Sequence, residues 1–80
     1  MQFYGDRAID PHYPKIILTF SDRHFRVEIE RDEWEGRKIY AAWVNYDLGS
    51  ALAVPYAPTV KSAIRQAKHW IDLYYRQTSL

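Results

Sequence analysis

Three histidines, His12, His24 and His69, are the natural starting points for acid–base or metal chemistry in this chain. None stands in a spacing that such chemistry uses. There is no Gly-x-Ser-x-Gly nucleophile turn and no His-Glu-x-x-His zinc helix. The chain has no cysteine. A thiol nucleophile, a disulfide scaffold and every Cys-ligated zinc or iron–sulfur site are therefore excluded. Its three glycines stand at 5, 36 and 49, too far apart for a phosphate-cradling loop. Asp6, Asp10 and His12 form a weak metal set, without a regular element to fix ligand geometry. The expectation is no catalytic residue, no metal and no cofactor.

Charge and aromatic residues carry more signal. Lys61, Arg65, Lys68, His69 and Arg76 fall within about a third of the circumference of one helix. A basic stripe of this kind is one footprint of phosphate-backbone contact. It is also what an ordinary solvated helix face looks like. Asp72 is the only acid on that face, spaced to form i,i+4 pairs with Lys68 and Arg76. Acids gather elsewhere: Glu28, Glu30, Asp32, Glu33 and Glu35 surround Arg31. The chain thus reads as bipolar, a distribution able to steer a charged partner. Trp34 sits between Glu33 and Glu35 with Arg37 close behind. Trp and Arg dominate binding hot spots, so Trp34, Arg37, Glu33 and Glu35 form a candidate partner-binding surface. The competing reading makes Trp34 a lid over the sheet edge.

The elements that must position these groups follow from periodicity. Residues 1–14 read as an extended arm, biased by Pro11 and Pro14, with Phe3, Tyr4, Ile9 and Tyr13 able to pin it to the domain. Lys15 to Phe20 is a first strand, followed by a turn at Ser21-Asp22-Arg23. From His24 to Arg31 the pattern alternates strictly, with Phe25, Val27 and Ile29 facing one way. Asp32 to Lys38 reads as a polar connection with Trp34 inside it and a turn at Glu35-Gly36. Ile39 to Asp47 is apolar on both faces, which predicts a central strand. Ala51 to Tyr56 is a fourth strand, marked by Pro55 as ending there or lying at an edge. Thr59 then caps a helix in which Val60, Ala63, Ile64, Ala67, Ile71 and Tyr74 share one apolar stripe. Residues 15–80 therefore form one α+β domain, an antiparallel β-meander of three to four strands packed on one C-terminal helix.

Size and composition narrow the rest. Eighty residues make one domain with a small core. Aromatics are 16% of the chain, more than such a core easily hides, so some should lie on the surface. Net charge is +1, which does not mark a nucleic-acid or membrane binder. No apolar run approaches the roughly 20 residues a membrane helix needs, and residues 1–10 lack the apolar segment of a signal peptide. A cytoplasmic location is the default expectation.

The run Ala53-Val54-Pro55, then Thr59-Val60-Lys61-Ser62-Ala63-Ile64, Ala67-Lys68 and Trp70-Ile71 resembles the strand and T-x-x-x-A-x-x-x-A helix of HicB-like antitoxin domains. The resemblance implies a protein-binding inhibitor fold and no enzymatic activity. Lys61, Arg65 and Lys68 are also similar in placement to the basic helix of double-stranded-RNA-binding domains, although the arm stands where that domain has its first helix. In size and composition the chain looks like small proteins of phages and other mobile elements, including anti-CRISPR proteins.

These readings converge on a small non-enzymatic protein-binding module, an inhibitor or adaptor, with nucleic-acid binding through the basic helix face as the alternative. Homodimerisation is compatible with both, because exposed strand edges gain by pairing.

Overall fold

Alternation along the second strand organises the sheet. In the computed structural model, which describes residues 15–78 (the side chain of Thr78 excepted), this strand, β2, spans Phe25–Trp34. Its odd-numbered residues Phe25, Val27 and Ile29 are buried, while Arg26 is exposed and Glu28 and Glu30 are half-buried. β1 (Lys15–Asp22) pairs on one side of it and β3 (Arg37–Tyr46) on the other; β4 (Gly49–Ala57) completes an antiparallel sheet in the order β1-β2-β3-β4. β3 is central, as its two apolar faces require. The expected arm over residues 1–14, with its weak metal set Asp6, Asp10 and His12, lies outside the described residues.

The strands run further than local hydrophobicity predicts, because each hairpin closes on two residues. At Glu35-Gly36 both residues have positive φ, 49° and 78°. That pair of left-handed residues matches the twist of the flanking strands, and Gly36 adopts it without a Cβ penalty. Pairing therefore continues through Asp32↔Ile39 and Glu33↔Lys38 to Trp34↔Arg37. The segment expected as a polar connection, Asp32 to Lys38, is thus the closed end of a hairpin. Turn geometry decided this, not apolar content. Arg23, at φ 57°, likewise opens a tighter first turn than the expected one and lengthens β1 to Asp22.

The helix α1 (Val60–Thr78) begins where Thr59 caps it. The Thr59 hydroxyl accepts from the Ser62 amide at 3.0 Å, and the Thr59 carbonyl accepts from the Ala63 amide at 3.0 Å. Ala63, Ala67 and Ile71 are fully buried against Val27, Ile29, Ala42, Val44, Val54 and Ala57. Alanines on both sides of this contact let the helix axis lie close to the sheet. Each fully buried Ile contributes roughly 1.5–3 kcal/mol. At the C-terminal half of α1 the filling changes to rings. Phe25 meets Tyr74 and Tyr75 edge-on, with centroids 5.2 and 5.5 Å apart, and Tyr46 and Trp70 join the cluster. The helix packs on β4, β3 and β2, leaving β1 at the margin.

Candidate interaction surface

Because one face of the sheet is filled by α1, the chemistry available to a partner concentrates on the other. Strand alternation and the pairing register place Arg26, Glu28, Glu30, Asp32 and Trp34 of β2 on this open face. Beside them stand Arg37, Ile39, Ala41 and Trp43 of β3, and Leu52 of β4. Trp34 is 63% exposed, Tyr56 56% and Leu52 45%. These are large apolar groups that the fold leaves in water.

The centre of the face is ordered. The Trp43 indole N–H donates to Glu30 Oε1 at 2.7 Å, orienting both side chains on adjacent strands. Arg26 Nε lies 3.9 Å from Glu28 Oε2, a loose exposed pair. Ser50 Oγ donates to Asn45 Oδ1 near the β3–β4 turn.

Trp34, Glu35, Arg37, Ile39, Pro55 and Tyr56 together line a shallow cleft of about 600 Å³. Two causes produce it. The Glu35-Gly36 turn holds Trp34 opposite Arg37 at the hairpin tip. On the neighbouring strand, β4 runs one residue longer than β3 at each of two register shifts, between Tyr40 and Ala42 and between Ala42 and Trp43. Such bulges bend a strand and re-aim its side chains, and here Pro55 and Tyr56 reach the cleft.

Of the residues expected to bind a partner, Trp34, Glu35 and Arg37 come together in this cleft. Glu33 does not: alternation turns it to the opposite side of the hairpin, across from Lys38. Ile39, Pro55 and Tyr56 were missed. Pro55 signalled an edge, but nothing in the local pattern signalled the bulges that bring Tyr56 round to Trp34.

The basic residues Lys61, Arg65, Lys68, His69 and Arg76 are all exposed on α1, so the sheet separates them from the cleft. Arg65 Nη2 reaches Ser62 Oγ at 3.5 Å, and Lys68 Nζ stands 5.7 Å from the centre of the Phe20 ring. The acid among them, Asp72, is engaged from outside the helix. Arg23 Nη2 donates to Asp72 Oδ1 at 2.5 Å while its Nε donates to Asp22 Oδ1 at 3.1 Å. Its guanidinium also lies 4.7 Å from the centre of the Tyr75 ring. Hydrogen bonds to Asp22 and then Asp72 raise the Arg23 pKa further above its usual value. This clamp joins the first hairpin turn to the C-terminal half of α1.

His24 lines a smaller cleft of about 320 Å³ with Tyr46, Asp47 and Tyr74, and His69 is exposed on the helix. Among the described residues no group of three or more His, Asp or Glu side chains is placed to hold a metal ion. No helix among them is long and apolar enough to cross a membrane. Compared with known protein families, curated proteins and solved structures, the chain matches none.

Proposed function

We propose that the chain is a non-enzymatic protein-binding module, an inhibitor or adaptor, whose contact surface is the open face of the sheet. The observation that carries this reading is the pair of exposed rings, Trp34 and Tyr56, flanking one cleft with Arg37. Trp, Tyr and Arg are the residue types that concentrate binding energy when a partner excludes water around them. The cleft is open and shallow, which suits a side chain protruding from a protein surface better than an enclosed small molecule. Glu35 in the cleft and Asp32 next to it, with Glu30 and Glu28 further along the same face, favour a partner with a cationic rim. Like charges on a wrong partner would be held off by the same acids.

The test is capture of a partner from the native host by the tagged full chain, repeated with the Trp34→Ala/Arg37→Ala double variant. The expected result is loss of the captured protein with an unchanged thermal unfolding curve. Capture that survives both substitutions removes this surface from consideration.

A second reading, nucleic-acid binding through α1, draws on the Arg23–Asp72 pair, which offsets the one acid beside Lys68 and Arg76. It requires affinity for duplex DNA, single-stranded DNA or duplex RNA that falls steeply with salt and disappears when Lys61, Arg65 and Lys68 are neutralised. No binding at low salt overturns it.

A further inference from the structure

Among the described residues the sheet ends in β1 on one side and β4 on the other, and these two edges differ. β4 is guarded: Pro55 removes a backbone donor and two bulges interrupt its register. β1 offers eight residues with a single shift, between Ile16 and Leu18. Ile16, Ile17 and Leu18 on it are 46%, 37% and 38% exposed. An edge this long and apolar is a template for another strand.

We propose that β1 pairs antiparallel with β1 of a second copy, across a two-fold axis at Thr19, joining two sheets into one of eight strands. This goes beyond the binding reading above and does not depend on it.

The register follows from which face each residue occupies. Pairing with β2 puts Leu18, Phe20 and Asp22 on the helix side, opposite Ile29, Val27 and Phe25. Thr19 and Ser21 stand on the open side, opposite Glu28 and Arg26. The irregularity at Ile17 reverses the alternation before it. Ile16 therefore joins the open side, opposite Glu30, and Lys15 the helix side, opposite Arg31. Directly opposed residues of an antiparallel pair must share a face. With the axis at Thr19 every pair meets that condition. Thr19 faces its own copy, Leu18 faces Phe20, Ile16 faces Ser21, and Lys15 faces Asp22.

The opposite charges at the two ends of β1 thus meet twice, once at each end of the interface, and every residue of β1 but the bulged Ile17 has an opposed partner. An axis at Phe20 instead sets Leu18 against Asp22 and carries Lys15 beyond the partner strand. Leu18, which is exposed, and Phe20, half-buried against the edge of the core, pack against each other across the interface on the helix side.

The test is the molar mass of the full chain by light scattering over a concentration series, with three variants. Thr19→Lys keeps the monomer whole, since the new ammonium stands opposite Glu28 within its own sheet, but it sets two cations face to face at the axis. Thr19→Cys places two thiols on opposed residues about 4.5–5.5 Å apart at Cα, within disulfide reach. Ser21→Cys is the control, because its neighbour across the interface is Ile16.

The expected result is twice the monomer mass for the parent chain and the monomer mass for Thr19→Lys with unchanged circular dichroism. Oxidation should cross-link Thr19→Cys and leave Ser21→Cys largely uncrosslinked. A parent chain that stays monomeric throughout, a Thr19→Lys variant that still dimerises, or equal cross-linking of both cysteine variants overturns the proposal. Trp34→Ala/Arg37→Ala should retain the dimer, so the two surfaces fail separately.

Discussion

The two faces of this sheet are built from the same strands, yet they end in opposite environments. On β3, Ala42 and Val44 face α1 and are fully buried, while Ile39, Ala41 and Trp43 face away and are only half-buried. Apolar content on β3 does not distinguish them. The choice is made by neighbours. β2 presents Phe25, Val27 and Ile29 on one side and Arg26, Glu28 and Glu30 on the other. The apolar stripe of α1 can dock only where the charges are not. β3 is thus left with a second apolar surface that the fold does not use, and that surplus is what makes the open face a candidate for a partner.

The comparison can be broken by substituting equivalent apolar groups on the two sides. The largest effect should come from Ile71→Ala, which removes a fully buried side chain from the centre of the helix–sheet contact. Truncations of this kind cost about 2–5 kcal/mol, a large part of what a domain of this size has to lose. Urea denaturation should show the midpoint collapse or the folded baseline disappear. A small loss would mean that the helix contact is not the main source of stability.

An intermediate effect is expected at Trp43→Phe. The substitution keeps a ring on the open face but deletes the indole N–H that Glu30 accepts. A hydrogen bond of this kind contributes about 0.5–1.5 kcal/mol. Denaturation midpoints of Trp43→Phe, Glu30→Gln and the double variant measure the coupling between them. Additive losses would show that the bond does not order this face.

Much of this fold was legible in the residues. The alternation from Phe25 to Ile29 and the 3.6-residue stripe through Ala63, Ala67 and Ile71 both depend on local pattern, and both are found. Thr59 caps α1 as its hydroxyl and position suggest. What was not legible depends on geometry that no side-chain pattern encodes. The turn at Glu35-Gly36 was legible from its glycine, but Glu35 adopts a left-handed φ that its residue type rarely takes, so pairing runs on through Asp32, Glu33 and Trp34 although two of these are acids. Asp72 is spaced for Lys68 and Arg76, yet Arg23, 49 positions away in sequence, hydrogen-bonds it. The candidate cleft was half legible for the same reason. Trp34, Glu35 and Arg37 are neighbours in the chain, whereas Tyr56 reaches them only through two bulges on β4.

The smallest effect on stability, and the sharpest for function, is expected at Trp34→Ala. Trp34 is 63% exposed at the tip of a hairpin, so its removal should change the unfolding free energy by no more than about 0.5 kcal/mol. Read by mass of side chain alone, Trp34 and Ile71 would rank the other way round. Their difference comes entirely from which face holds them. If Trp34→Ala unfolds as readily as Ile71→Ala, the ring is a lid that stabilises the hairpin, and the open face loses its strongest claim as a binding surface. If the unfolding curve is unchanged while partner capture falls, the ring contributes to recognition and not to folding. The exposed area of Trp34 in the free chain favours the second outcome.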